Sequence, residues 1–156
     1  MKTLRDPGQI LTDGLAAIRL QYQLPDAFPP EVITGAEAAV KRPLDDHIDK
    51  TDMPFVTLDP ASSMDLDQAF SIELRGADIL CHYAIADVAW FVDDGGAMDR
   101  EAWLRGTSQY LPDGKISLYP QMLSEGAASL LPDVIRPAIL FSTRIADDGT
   151  AHLERV

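Results

Sequence analysis

Phe55-Val-Thr-Leu-Asp59-Pro60-Ala-Ser-Ser-Met-Asp65-Leu66-Asp67-Gln68-Ala69-Phe70 is the stretch on which the fold turns. An apolar run delivers Asp59, Pro60 cuts it, small residues make a turn, and a new strand begins at Asp65 and Asp67. Upstream the apolar positions have helical period. Ile10, Leu11, Leu15, Ile18 and Tyr22 predict one amphipathic helix over 7–22, closed by a Leu24-Pro25-Asp26 turn. Phe28-Pro29-Pro30-Glu31 opens a second helix with proline in its first turn, continued by Val32, Ala36, Ala39 and Val40 up to Arg42-Pro43. Downstream the pattern becomes that of short strands, over 55–58, 69–74, 79–86 and 138–145, with Arg75-Gly76-Ala77-Asp78 as a turn. A helix is predicted over 98–105 and a long loop over 106–120. The expectation is an α+β fold: a helical N-terminal segment and connector over 1–50, then a mostly antiparallel sheet with helices over 51–156.

The bulk numbers bound the function. The chain has 156 residues, 46% hydrophobic and 24% charged, which is ordinary globular composition and excludes a disordered tail or a fibre. No apolar run approaches the roughly 18 residues of a membrane span, and residues 1–10 lack the apolar core of a signal peptide, so a cytoplasmic protein with no membrane partner is expected. The single cysteine, Cys81, lies in an apolar strand and reads as an inert thiol. His82 reads as a packed histidine, and Trp90 and Phe91 as core. The net charge of −12 opposes broad electrostatic binding of nucleic acid, which depends on Lys and Arg displacing counterions. The acidity is uneven: residues 1–50 hold 6 basic and 8 acidic side chains, and residues 51–156 hold 7 and 17.

Asp59, Asp65 and Asp67 fall within nine positions. In an extended chain residues two apart share a face, so Asp65 and Asp67 point the same way, and Asp59 joins them if the loop folds back. Unit charges about 4 Å apart repel by about 4 kcal/mol at an effective dielectric near 20, so a convergent trio calls for a cation. Hard oxygen ligands suit Mg2+, with Mn2+ as an alternative. A solvated acidic turn is the plain alternative. A glycosyltransferase D-x-D is another, but no Gly-rich phosphate cradle accompanies it, and the spacing does not fit a Ca2+ loop of EF-hand type.

Four ordered segments change that balance. The 55–67 motif, Tyr83-Ala-Ile-Ala-Asp87-Val88, Arg105-Gly-Thr-Ser-Gln-Tyr110-Leu-Pro-Asp113 and Leu123-Ser-Glu-Gly-Ala-Ala-Ser129-Leu-Leu-Pro132 together resemble the ribonuclease II, or RNB, family of exoribonucleases. The resemblance implies Mg2+-dependent hydrolysis of single-stranded RNA from the 3′ end, releasing nucleoside 5′-monophosphates, with two metal ions at the scissile bond. It implies Asp59 and Asp65 as metal ligands, Asp67 as the catalytic aspartate and a ligand, and Gln68 where the family has a fourth aspartate. It implies Tyr110 as an aromatic that stacks on nucleotides, where a tyrosine before Leu-Pro alone would read as a cap on the core; Arg105 and Lys115 flank it and read equally as reaching phosphates or as solvated surface charge. Asp87 reads either as a second acceptor or as the end of a strand. The chain stops at Val156 in an apparent hairpin, so the expectation is a partial catalytic domain, with its C-terminal half and an OB-fold RNA-binding module as missing partners, and inactive alone. The competing expectation is a noncatalytic RNB-like protein that binds RNA or another protein.

Overall fold

The computed structural model describes residues 6–25 and 27–156. Residues 1–5, part of the stretch read as lacking a signal-peptide core, and Asp26, expected to close the first turn, lie outside them. The elements run α1 (Ile10–Gln21), α2 (Pro30–Ala39), β1 (Gln68–Arg75), β2 (Asp78–Ala86), α3 (Ala97–Arg105), β3 (Gln109–Leu111), β4 (Gly114–Ile116), β5 (Ala138–Ile145) and β6 (Ala151–Arg155). The fold is α+β with antiparallel sheets, as the apolar periods require.

β1, β2, β5 and β6 form one antiparallel sheet in that order, and β3 pairs with β4 separately. Ala69 and Ser71 of β1 and Leu80 and Ala84 of β2 turn inward, while Ile72 and Leu74 stay exposed on the other face. His82 bonds Ser142 Oγ at 2.9 Å across β2 and β5, as a packed histidine should. Gly149, at φ 85°, supplies the left-handed turn between β5 and β6.

The main core lies between α2 and the segment from 88 to 128. Val32, Ala36 and Ala39 of α2 pack with Phe91, Met98, Leu123 and Ala128, and Trp90 is partly buried beside them. Proline 30 opens α2 where an N–H would have no partner. By contrast, only Leu15 of α1 is buried. α1 begins later than expected because the Asp6 carboxylate accepts the N–H groups of Leu11 and Thr12, holding Pro7-Gly8-Gln9 as a turn ahead of the helix. No described helix is long and apolar enough to cross a membrane.

Two expected elements differ. The strand at 55–58 reduces to one bridge, Val56 with Phe70: prolines bracket the segment at 54 and 60, and Phe55 N turns back to Met53 O. The loop at 106–120 contains the β3–β4 hairpin, turned by Pro112-Asp113-Gly114.

Candidate active site

The Val56 bridge closes a loop. Val56 and Phe70 exchange two backbone hydrogen bonds of 2.9 Å, so every residue of the acidic motif after Val56 lies in the excursion between them. The far side of that loop is stapled to the core by Ser129. Its Oγ donates to Met64 O at 2.7 Å and accepts from Leu66 N at 2.9 Å, and Leu130 N donates to Leu66 O at 2.7 Å. Leu66 is buried, Asp65 half-buried and Asp67 exposed, so the two aspartates turn away from the core on either side of a leucine anchor. Ala86 N also donates to Asp67 O at 2.9 Å.

Ser129 positions the candidate loop, and the sequence pointed to it only as part of a longer resemblance, since a buried serine has no local signature. It is 1% exposed, and Ser129→Ala would deprive the buried Leu66 N–H and the part-buried Met64 carbonyl of their partner. Such a loss costs about 1–3 kcal/mol. The expected result is a lower urea midpoint together with faster exchange of the Leu66 amide; unchanged exchange at Leu66 would show that the staple does not fix the loop.

The β3–β4 hairpin faces the stapled loop. Tyr110 and Lys115 are cross-strand partners, and the Lys115 ammonium lies 5.5 Å from the Tyr110 ring centroid. Lys115 Nζ is 2.6 Å from Asp65 Oδ2 and 3.6 Å from Glu125 Oε1. That hydrogen bond, foremost, holds the Asp65 carboxyl below its ordinary range against burial, which pushes it up. Burial in turn works against the Lys115 ammonium, but Asp65, Tyr110 and Glu125 outweigh it and hold its pKa above the usual lysine value. Tyr110 is 73% exposed, a free aromatic face beside a charged cluster. An open groove of about 880 Å³ runs past this point, lined by Phe28, Met64, Lys115, Gln121 and Glu125 among others.

The remaining expected site residues fall elsewhere. The Gln68 amide oxygen accepts the Tyr83 hydroxyl, one strand across. Adjacent residues of a strand point to opposite faces, so this engagement turns Gln68 away from Asp67. Arg105, expected at phosphates, is a structural clamp instead. Its side chain is 4% exposed and pairs with Glu101 at 2.8 Å, donates to Ala27 O and Ser117 O, and lies 3.7 Å from the Phe28 ring centroid. Each of its three nitrogens makes one of these bonds, and together they tie α3 to the start of α2 and the end of β4. Asp87 ends β2 by accepting Trp90 N, capping the turn at Val88–Trp90, and lies 3.5 Å from His47.

The donor chemistry of the acidic loop suits a hard divalent ion. The arrangement does not: among the described residues no three His, Cys, Asp or Glu side chains are grouped to hold a metal, and Lys115 sits on Asp65.

The RNB domain family matches residues 47–156. Ribonuclease R of Thermotoga maritima is 37% identical over 142 residues, covering 86% of this chain and 20% of that protein. Exoribonuclease 2 of Enterobacter sp. (strain 638) is 38% identical over 138 residues, covering 87% and 20%. The apo form of Mycoplasma genitalium RNase R superposes with a TM-score of 0.79 at 28% identity, over 98% of this chain and 25% of that one. The same protein in complex with ribose-methylated single-stranded RNA gives 0.76 at 26% identity, again over 98% and 25%. The chain thus spans about a fifth of the length of these curated relatives. A family match over residues 47–156, with relatives 37% and 38% identical over most of the chain, settles the family: this chain belongs to the RNB domain family.

Proposed function

We propose that this chain serves a hydrolytic exoribonuclease that degrades single-stranded RNA from the 3′ end to nucleoside 5′-monophosphates. The observation that carries the reading is the exposed Tyr110 ring beside Lys115, whose ammonium pairs with Asp65 and which lines an open groove. An aromatic platform beside an ammonium and a carboxylate suits a sequence-indifferent grip on a nucleotide. The base stacks on the ring, and its phosphate meets the ammonium. Asp67 is the proposed catalytic aspartate, and Asp59 and Asp65 are the carboxylates proposed to serve Mg2+, with Mn2+ as an alternative. Members of the family named ribonuclease R and exoribonuclease 2 support the reaction class.

A second reading has its own observation. Asp65 is neutralised by Lys115 and Gln68 is spent on Tyr83, which suits a noncatalytic RNB protein that binds RNA without cutting it. Labelled single-stranded RNA, incubated with the longest form of the protein in Mg2+ and in EDTA, separates the two. Mg2+-dependent mononucleotide release supports the nuclease, binding without cleavage supports the second reading, and neither outcome removes both.

Tyr110→Ala tests the platform. Stacking is worth about 1–3 kcal/mol per base, or roughly 5- to 150-fold in local affinity. The variant should release RNA earlier and leave a longer final product, read on a denaturing gel. An unchanged product ladder would leave Tyr110 a structural role beside Lys115 and Asp65.

A further inference from the structure

We propose that Lys115 is a latch on the acidic loop: its ammonium fills the place beside Asp65 that a divalent ion would take, so the two compete for one carboxylate. The proposal rests on the reading of Asp65 as a metal ligand. Lys115 holds its position through the hairpin rather than through its own chain. It is the middle residue of β4, paired across to Tyr110, and the hairpin tip is fixed to α1 where both terminal nitrogens of Arg19 bond the Asp113 carboxylate at 2.8 and 2.9 Å. The loop side is equally fixed, since Ser129 bonds the residues on either side of Asp65. Two anchored elements therefore bring Nζ to 2.6 Å from Asp65 Oδ2.

Glu125 makes the latch specific. Its Oε1 lies 3.6 Å from the same ammonium, and Gln121 steadies its other oxygen at 2.7 Å. Two carboxylates within reach of one nitrogen repel each other, so the site demands positive charge whether or not a metal is bound. Lys115 meets that demand internally. A divalent ion reaching Asp65 must displace an ammonium that is already hydrogen-bonded to the ligand oxygen, and its apparent affinity falls by the strength of that pairing.

Mn2+ titrated into the protein, with the free ion read by electron paramagnetic resonance, tests this. Lys115→Met keeps the apolar stem and removes the charge; it should bind Mn2+ at least about fivefold more tightly, the loss of an ion pair at the upper end of the exposed range. Lys115→Arg should stay near the wild type, and adding Asp65→Asn to Lys115→Met should abolish the gain. In the unsubstituted protein, saturation with Mg2+ should shift the Lys115 side-chain 15N resonance toward that of a free ammonium. If that resonance does not move at saturation, the latch is wrong however the variants fold. Equal Mn2+ affinity in wild type and Lys115→Met, weakened in both by Asp65→Asn, would also overturn the latch while leaving Asp65 a ligand. Absence of Mn2+ binding in every variant would remove Asp65 as a ligand and the latch with it.

Discussion

Asp67→Asn is expected to abolish RNA hydrolysis while leaving RNA affinity and stability nearly unchanged. The side chain is exposed and among the described residues no fold contact depends on its charge, whereas its backbone carbonyl is held by Ala86 N and the nearby Leu66 and Ala69 are buried. An isosteric change at such a position stays within about 0.5 kcal/mol of wild-type stability. Under the proposed role, the lost carboxylate is the group nearest the chemistry, and removing a positioned catalytic group costs about 10²–10⁴ in rate. The comparison is single-turnover cleavage of labelled RNA against filter binding of the same RNA, on the longest form of the protein that is active. Turnover within about tenfold of wild type would place the catalytic charge elsewhere. Loss of binding in parallel with cleavage would make Asp67 a structural residue of the loop.

What was legible in the sequence is what is encoded locally. The apolar runs that mark β1, β2 and β5 and the Val32, Ala36, Ala39 stripe of α2 depend on residues near in sequence; burial follows the α2 stripe, whereas in β1 the face of Ile72 and Leu74 is the exposed one and Ala69 and Ser71 turn inward. The β3–β4 hairpin was hidden because three-residue strands offer too little alternation to count, although Pro112-Asp113-Gly114 is a turn signal. The candidate site was legible in its residue types and not in its geometry. Lys115 meets Asp65 across 50 positions and Ser129 meets Met64 across 65, and no periodicity reports pairings at such range. Arg105 shows the same limit from the other side. An arginine at the end of a helix reads as surface charge, and only the Phe28 ring and the Ala27 and Ser117 carbonyls around it turn it into a buried clamp.

The same long-range packing makes Leu123 the position where a single truncation should do most damage to the fold. It is 0% exposed and sits in the π-helical turn Leu123–Ala127, with Val32, Ala36, Ala39, Phe91 and Met98 in its cluster. These partners come from α2, the turn after β2 and α3, so one side chain joins elements that have no hydrogen-bonded ladder between them. Its own backbone is bound at both ends, with Leu123 N donating to Pro120 O and Leu123 O accepting from Ala128 N, so the turn cannot readily collapse into a void. Leu123→Ala therefore removes apolar contacts and leaves a cavity, which costs about 2–5 kcal/mol for a buried leucine. At roughly 2–4 °C per kcal/mol for a chain of this size, the melting temperature should fall by about 4–20 °C. Leu104→Ala, on a residue 83% exposed, is the matched control and should move it little. Calorimetry of the two variants side by side decides the matter: equal shifts would mean that the α2 core does not carry the stability of the fold. A large shift at Leu123 alone would place that core beneath the Ser129 staple, six residues further on, and hence beneath the loop that carries Asp65 and Asp67.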